Sequence, residues 1–222
     1  MNKVLVVAVH PDDETLGCGG TLLKHNDEGD EIHWLIATEM KKSDGFDESI
    51  IEKRNDEINK INKLYNFNTI NQLHISTTMV SEASENDLIS KISSIILKIK
   101  PNIIYLPFKG DIHGDHRGIF NAAYSCTKSF RYPFIKKIYM METLSETEFA
   151  ISTLEDSFIP NVFVDISNYF EKKIEAMNIY TDEMGIHPFP RSEKNIEAIA
   201  TYRGATSGCD YAESFMLLKE IK

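Results

Sequence analysis

Apolar positions along the chain fall into two recurring patterns: short unbroken runs, and longer stretches at helical spacing. Val4-Leu5-Val6-Val7-Ala8-Val9 and Ile103-Ile104-Tyr105-Leu106-Pro107 are runs without polar alternation. Short, β-branched runs of this kind read as strands buried on both faces. Ile32, Trp34, Leu35 and Ile36 mark another strand over 31–37, and Leu73–Ile75, Lys136–Met141 and Val162–Ile166 mark three more. Between the runs the period changes. Ile51, Ile58, Ile61 and Tyr65 lie on one face of a helix that opens at Ser49-Ile50-Ile51-Glu52, a capping-box pattern. Leu88, Ile92, Ile95, Ile96 and Ile99 mark the clearest helix, Asp87–Lys100, closed by Pro101. Further helices are expected after residue 10, after residue 116 to about Ser129, and over Ser167–Tyr180 and Ser192–Tyr202. Arg203–Gly208 reads as a turn and Tyr211–Leu218 as partly extended. Strands alternating with helices predict an α/β fold, a Rossmann-like three-layer α/β/α sandwich around a mostly parallel sheet. At 222 residues and 42% hydrophobic, the chain is long enough for one domain, 1–222, and short for two.

The polar residues that matter sit where the two clearest strands end. His10-Pro11-Asp12-Asp13-Glu14 follows the first strand directly, and Thr15-Leu16-Gly17-Cys18-Gly19-Gly20 continues it as a helix whose glycines allow close approach to a neighbouring strand. In open α/β sheets the carboxyl ends of the strands are where ligands bind. An Asp before a helix is often only an N-cap. Capping, however, needs neither a His nor a second acid, and it predicts no partner elsewhere. A three-ligand metal site does predict one: another ligand, most naturally a His, at the end of another strand. Asp111-Ile112-His113-Gly114-Asp115-His116, just after the strand that ends at Pro107, meets that demand. His113 and His116 are three apart and can face one site. Imidazole and carboxylate suit a catalytic zinc, with a spare acid to move protons, and the same donors accept iron. On spacing alone, Asp12 and Asp13 could exchange the roles of ligand and base. Arg54 falls in the first turns of the Ser49 helix, near the same edge, and reads equally as a solvated surface residue.

Charge narrows the partners. The net charge of −10 disfavours a nucleic-acid binder, which would show a basic face. Cys18, Cys126 and Cys209 are odd in number and form no CxxC pair, so they read as reduced thiols. No basic leader precedes the first strand, and no run approaches the ~20 apolar residues of a transmembrane segment. A cytoplasmic protein is expected.

These motifs give the sequence a resemblance to the LmbE/PIG-L-like N-acetylglucosaminyl deacetylases. It is carried by a strand followed by HPDDE and a glycine-rich helix at 10–20, by DIHGDH at 111–116, and by YRGATSGCDYAESF at 202–215. The resemblance covers essentially the whole chain. It implies zinc ligands His10, Asp13 and His116, and Asp12 as general base. It implies that His113 binds the oxyanion or protonates the leaving amine, that Asp115 orients His113, and that Arg54 contacts the sugar. Asp111 stands where some relatives carry a Tyr, and Ser76-Thr77-Thr78 where some carry a sugar-binding Asp. The implied reaction is zinc-dependent removal of the N-acetyl group from an N-acetylglucosamine-type sugar conjugate, a small molecule, giving free amine and acetate. A homo-oligomer is compatible with the family, although no residue marks an interface. Two other classes are weighed: a metal-dependent amidase on a non-sugar acyl substrate, and a nucleotide-binding α/β domain. Against the latter, Gly17-Cys18-Gly19-Gly20 is not GxGxxG and follows acids that would repel phosphate.

Overall fold

The computed structural model describes residues 1–222. Its strands are β1 (Lys3–Ala8), β2 (Glu31–Glu39), β3 (Thr69–Ser76), β4 (Ile103–Leu106), β5 (Lys137–Met141), β6 (Val162–Asp165) and β7 (Ala212–Glu220). Its helices are α1 (Asp13–Asp27), α2 (Glu48–Tyr65), α3 (Glu85–Ile99), α4 (Gly114–Ser125), α5 (Phe170–Met177) and α6 (Glu193–Ser207). One sheet runs in the order β3-β2-β1-β4-β5-β7-β6. The first five strands pair in parallel, whereas β7 is antiparallel to both β5 and β6.

The apolar runs are unbroken because helices cover both faces. Val4, Val6 and Ala8 of β1 face one core, with α1, α2, α5 and α6; Leu5 and Val7, with Val9 beyond the strand, face the other, with α3 and α4. This is the expected three-layer α/β/α arrangement. β1 pairs with β2 on one side and β4 on the other. The chain therefore winds outward from β1 in both directions, and the segments that leave β1 and β4 emerge side by side at the topological switch point.

Several boundaries differ from the sequence reading. β3 and β7 are longer, and α4 stops at Ser125. The capping box at Ser49 does not form: α2 begins at Glu48, and its N-cap residue Asp47 makes no side-chain cap bond. The expected turn at 203–208 is the last part of α6, which ends at Gly208 in a left-handed conformation (φ 81°). α1 carries a kink at Cys18 (φ −151°, ψ 23°). The backbone groups freed there are satisfied from a distance. Glu213 accepts from the Gly20 and Thr21 amides at 2.9 and 2.7 Å, and Lys173 Nζ donates to the Leu16 carbonyl at 2.9 Å and to Glu213 at 2.7 Å.

The glycines of α1 do what close packing requires. A Cβ on Gly17 would lie 2.7 Å from Met141 Sδ, and one on Gly20 would lie 2.7 Å from Ile166 Cβ. They admit neighbouring side chains against the helix and cradle no phosphate, which removes the feature that prompted the nucleotide-binding alternative.

Candidate active site

The two motifs meet where β1 and β4 end. Asp13 opens α1, and its Oδ2 accepts from the Val9 and His10 amides at 2.9 and 2.8 Å. Across the crevice, His116 stands in the first turn of α4, fully buried. Its Nδ1 donates to Asp111 Oδ2 at 2.8 Å, and Thr147 Oγ1 holds the other Asp111 oxygen at 2.7 Å. A donating Nδ1 leaves Nε2 of the neutral ring as a bare lone pair, and Nε2 lies 3.4 Å from Asp13 Oδ2. Two acceptors that close repel unless a proton or a metal ion sits between them. Burial lowers the affinity of His116 for a proton, but Asp13 and then Asp111 overcome it and push the imidazole up to about 9. His10 brings a third donor: His10, Asp13 and His116 each offer a ligand atom within 4.8 Å of the others. The Nε2 atoms of His10 and His116 are buried without a hydrogen-bond partner. Orphaned lone pairs beside a carboxylate, with Asp111 backing one imidazole, are what a divalent metal requires of its ligands and their supports.

His10, His113 and Asp115 form a second group of similar spacing, but His113 Nδ1 and the Asp115 carboxylate already hold hydrogen bonds. His113 caps α4, its Nδ1 accepting from the Asp115 amide at 3.1 Å. The Asp115 carboxylate accepts from the Thr78 and Val80 amides at 2.8 and 3.2 Å and faces His10 Nε2 at 3.7 Å. The hydrogen bond between Asp115 and His113 runs from the Asp115 amide to the ring. The Asp115 side chain ties the loop after β3 to α4 and faces His10, with a carboxylate oxygen within 4.8 Å of a His113 ring nitrogen.

Asp12 does not behave as a helix cap. It makes no side-chain cap bond, and its backbone has φ 139° and ψ −29°, a conformation that costs of order 1–3 kcal/mol. Its Oδ2 accepts from Arg191 Nη1 at 2.8 Å. Burial, and then the neighbouring Asp13 charge, raise the Asp12 carboxyl well above its ordinary range. Beneath it, burial pushes the Glu14 carboxyl up to about 7. A cavity of about 280 Å³ opens over these groups, lined among others by His10, Asp12, Asp13, Arg54, His113 and Glu146. An accepting Nδ1 puts the proton of the neutral His113 ring on Nε2. Burial, and then the nearby His10 charge, lower the pKa of His113 and favour that neutral form. Arg54 is buried, and its nitrogens face protein: Nη1 donates to the Pro11 carbonyl at 3.0 Å, Nη2 pairs with Glu183, and Nε lies 3.4 Å from Glu57.

Sequence reasoning missed Arg191, which holds Asp12, Glu183, which pairs with Arg191 and Arg54, and Glu146, whose Oε2 is buried without a partner in the cavity wall. No local signal marks them, since Arg191 is 179 residues from the carboxylate it holds. Asp111 lay inside the second motif and could have been found as the carboxylate behind a ligand His.

A buried His/Asp cluster at the switch point of an α/β sheet, with a spare acid and an imidazole facing one cavity, has the donor set of a metal-assisted hydrolase site. Residues 5–127, more than half of the chain, match the family described as PIG-L, GlcNAc-PI de-N-acetylase. The chain belongs to the PIG-L family, deacetylases that hydrolyse an amide C–N bond. It is 26% identical over 230 residues to the diacetylchitobiose deacetylase of Thermococcus kodakarensis, covering 100% of this chain and 85% of that protein. The fold matches N,N'-diacetylchitobiose deacetylase from Pyrococcus horikoshii with a TM-score of 0.77 at 22% identity, over 98% of this chain and 84% of that one. It also matches GalB, the 4-carboxy-2-hydroxymuconate hydratase of Pseudomonas putida KT2440, with a TM-score of 0.76 at 14% identity, over 100% and 97% of the two chains. The fold is thus shared with another reaction, and the side chains must decide the chemistry. No helix is long and apolar enough to cross a membrane.

Proposed function

We propose that the protein removes the N-acetyl group from an N-acetylglucosamine-type sugar conjugate, releasing acetate and the free amine, with one zinc ion held by His10, Asp13 and His116. The observation that carries this reading is the orphaned His116 Nε2 facing Asp13, with His10 Nδ1 3.9 Å from the same carboxylate oxygen, beside an acid that is not spent on capping. Bound there, the metal would supply Lewis-acid polarisation of the acyl oxygen and of the attacking water. Asp12 takes the proton of that water and later gives it to the departing amine, a role that suits a carboxyl whose pKa burial has raised. His113 presents Nε2–H to the oxygen on which charge develops, a contribution worth roughly 2.7–4 kcal/mol per donor in other acyl-transfer sites. Asp111 fixes the tautomer of His116, and Asp115 holds the loop after β3 against His10. Iron fits the same donor set, so the metal is identified by restoring each ion to stripped protein.

The test is acetate release from a panel of N-acetylglucosamine conjugates, with stripped protein compared against zinc-restored protein. Zinc-dependent release from the sugars is expected. One bound metal per chain with no release from any of them would sink the sugar assignment and favour another amide.

A further inference from the structure

The residues around Asp12 are held more tightly than metal ligation demands. The peptide between Pro11 and Asp12 is gripped at both of its polar atoms. Arg54 Nη1 donates to the Pro11 carbonyl at 3.0 Å, and the Asp12 amide donates to Glu14 Oε2 at 3.1 Å. Glu14 is fixed in turn through its other oxygen, which accepts from the Thr15 and Tyr180 hydroxyls at 2.7 and 2.9 Å. Just beyond this gripped peptide lies the left-handed Asp12. A second pair of contacts reaches the same residue through its carboxylate. Arg191 Nη1 lies 2.8 Å from Asp12 Oδ2 and 2.9 Å from Glu183, and Glu183 also pairs with Arg54. Arg54 therefore touches Asp12 along two routes, one through backbone and one through side chains.

We propose that Glu14 and Arg54 are positioning residues for Asp12. They clamp the Pro11–Asp12 peptide so that the strained residue aims its carboxylate at the cavity. The inference rests on Asp12 as the general base. An unforced Asp at a helix start adopts extended backbone and turns its carboxylate onto the amides of its own first turn. There it would be spent on capping and turned away from water in the cavity. A positive φ at a non-glycine residue persists only where the surroundings over-determine it, and the two hydrogen bonds on one peptide provide that. The same geometry reassigns Arg54. Its three nitrogens contact Pro11, Glu183 and Glu57, so we assign its action to the base.

Four variants of the metal-loaded enzyme test this: Arg54→Met, Arg54→Lys, Glu14→Leu and Glu14→Gln. Arg54→Met and Glu14→Leu should lose about 10- to 100-fold in kcat, the scale of a small misplacement of a catalytic group, with KM and metal stoichiometry unchanged. Glu14→Gln keeps an acceptor for the Asp12 amide and should recover most of the rate; Arg54→Lys keeps one donor and should fall between. Crystal structures of Arg54→Met and Glu14→Gln give a readout independent of turnover: Asp12 should leave the left-handed region in the first and keep it in the second. A raised KM at unchanged kcat in Arg54→Met would make Arg54 a substrate contact and overturn the inference, as would an unmoved Asp12. If Glu14→Leu does not fold, the Arg54 pair decides. Wild-type protein inactive on every acetylated sugar would defeat the deacetylase reading instead, and the crystal structures would still judge the clamp.

Discussion

At the carboxyl end of the sheet His10, Asp13 and His116 come together; at the amino end His25, Glu28 and Asp30 do, with the same residue types at similar separations. The two clusters differ in what surrounds them. His25 Nδ1 bonds Asp30 at 2.8 Å and its Nε2 bonds the Tyr105 hydroxyl at 3.1 Å, so both ring nitrogens are engaged. Asp30 also accepts from the Asn2 side chain at 2.9 Å, and Asn102 Nδ2 donates to Asn2 at 2.8 Å. This network closes on itself and joins the starts of β1, β2 and β4. At the other end, two nitrogens lack partners, an aspartate sits in a strained conformation and a cavity opens above. Residue type thus says little about a site; unspent hydrogen-bonding capacity says much.

The contrast can be broken most forcefully by exchanging alanine for one histidine at each end. His116→Ala should abolish stoichiometric metal and with it activity, whereas His25→Ala should leave both intact in the folded protein; metal analysis and acetate release distinguish them. Next in size is Asp12→Ala, expected to keep the metal but lose about 10²–10⁴-fold in kcat as a general base would. Equal turnover would remove Asp12 from that role. Asp111→Asn keeps the shape of the partner behind His116 but removes its charge. It should weaken metal binding by about 10- to 100-fold, measured by competition with a chelator.

The smallest effect belongs to the amino end. Burial by itself would raise the Asp30 carboxyl, but the Asn2 amide and side chain and His25 overcome it and hold it below its ordinary range. Such a group contributes stability that is present above the unfolded value near about 3.9 and is lost as pH falls toward the lower folded value. Asp30→Asn should therefore cost about 1–3 kcal/mol at neutral pH, flatten the acid limb of a melting-temperature profile, and leave kcat per folded molecule unchanged. A parallel acid limb would show that Asp30 is not the group responsible.

What could be read from the sequence divides along the same physical line. Both motifs are local: each follows its strand within a few residues, so the apolar run and the polar cluster are legible together. α3 was legible because its stripe and closing proline are local too. Contacts made across the chain were not. The Cys18 kink leaves no mark in a glycine-rich segment, because the groups that satisfy it, Glu213 and Lys173, come from β7 and α5. Arg191 was invisible as the partner of Asp12, and Glu183 as the partner of Arg191, for the same reason. The misread turn at 203–208 is instructive. Gly208 is the helix stop, but Gly204 lies inside α6 because a Cβ there would meet the Asp210 and Cys209 carbonyl oxygens at 2.5 and 2.6 Å. One glycine serves a turn and the other a close approach, and the sequence writes both with the same letter.

Glu213 ties the order of synthesis to the completion of the site. It sits on β7, the strand between β5 and β6, and from 193 residues away grips the second half of α1, while Lys173 links it to the Leu16 carbonyl of the first. A ribosome-bound chain that has released everything through α6 already contains HPDDE and HGDH, yet the helix that carries Asp13 still lacks its splice, and β6 lacks the only strand it pairs with. Chains lacking β7 should thus be loosely closed species in which the two motifs exist without being held in register, and β7 acts as the latch that commits them.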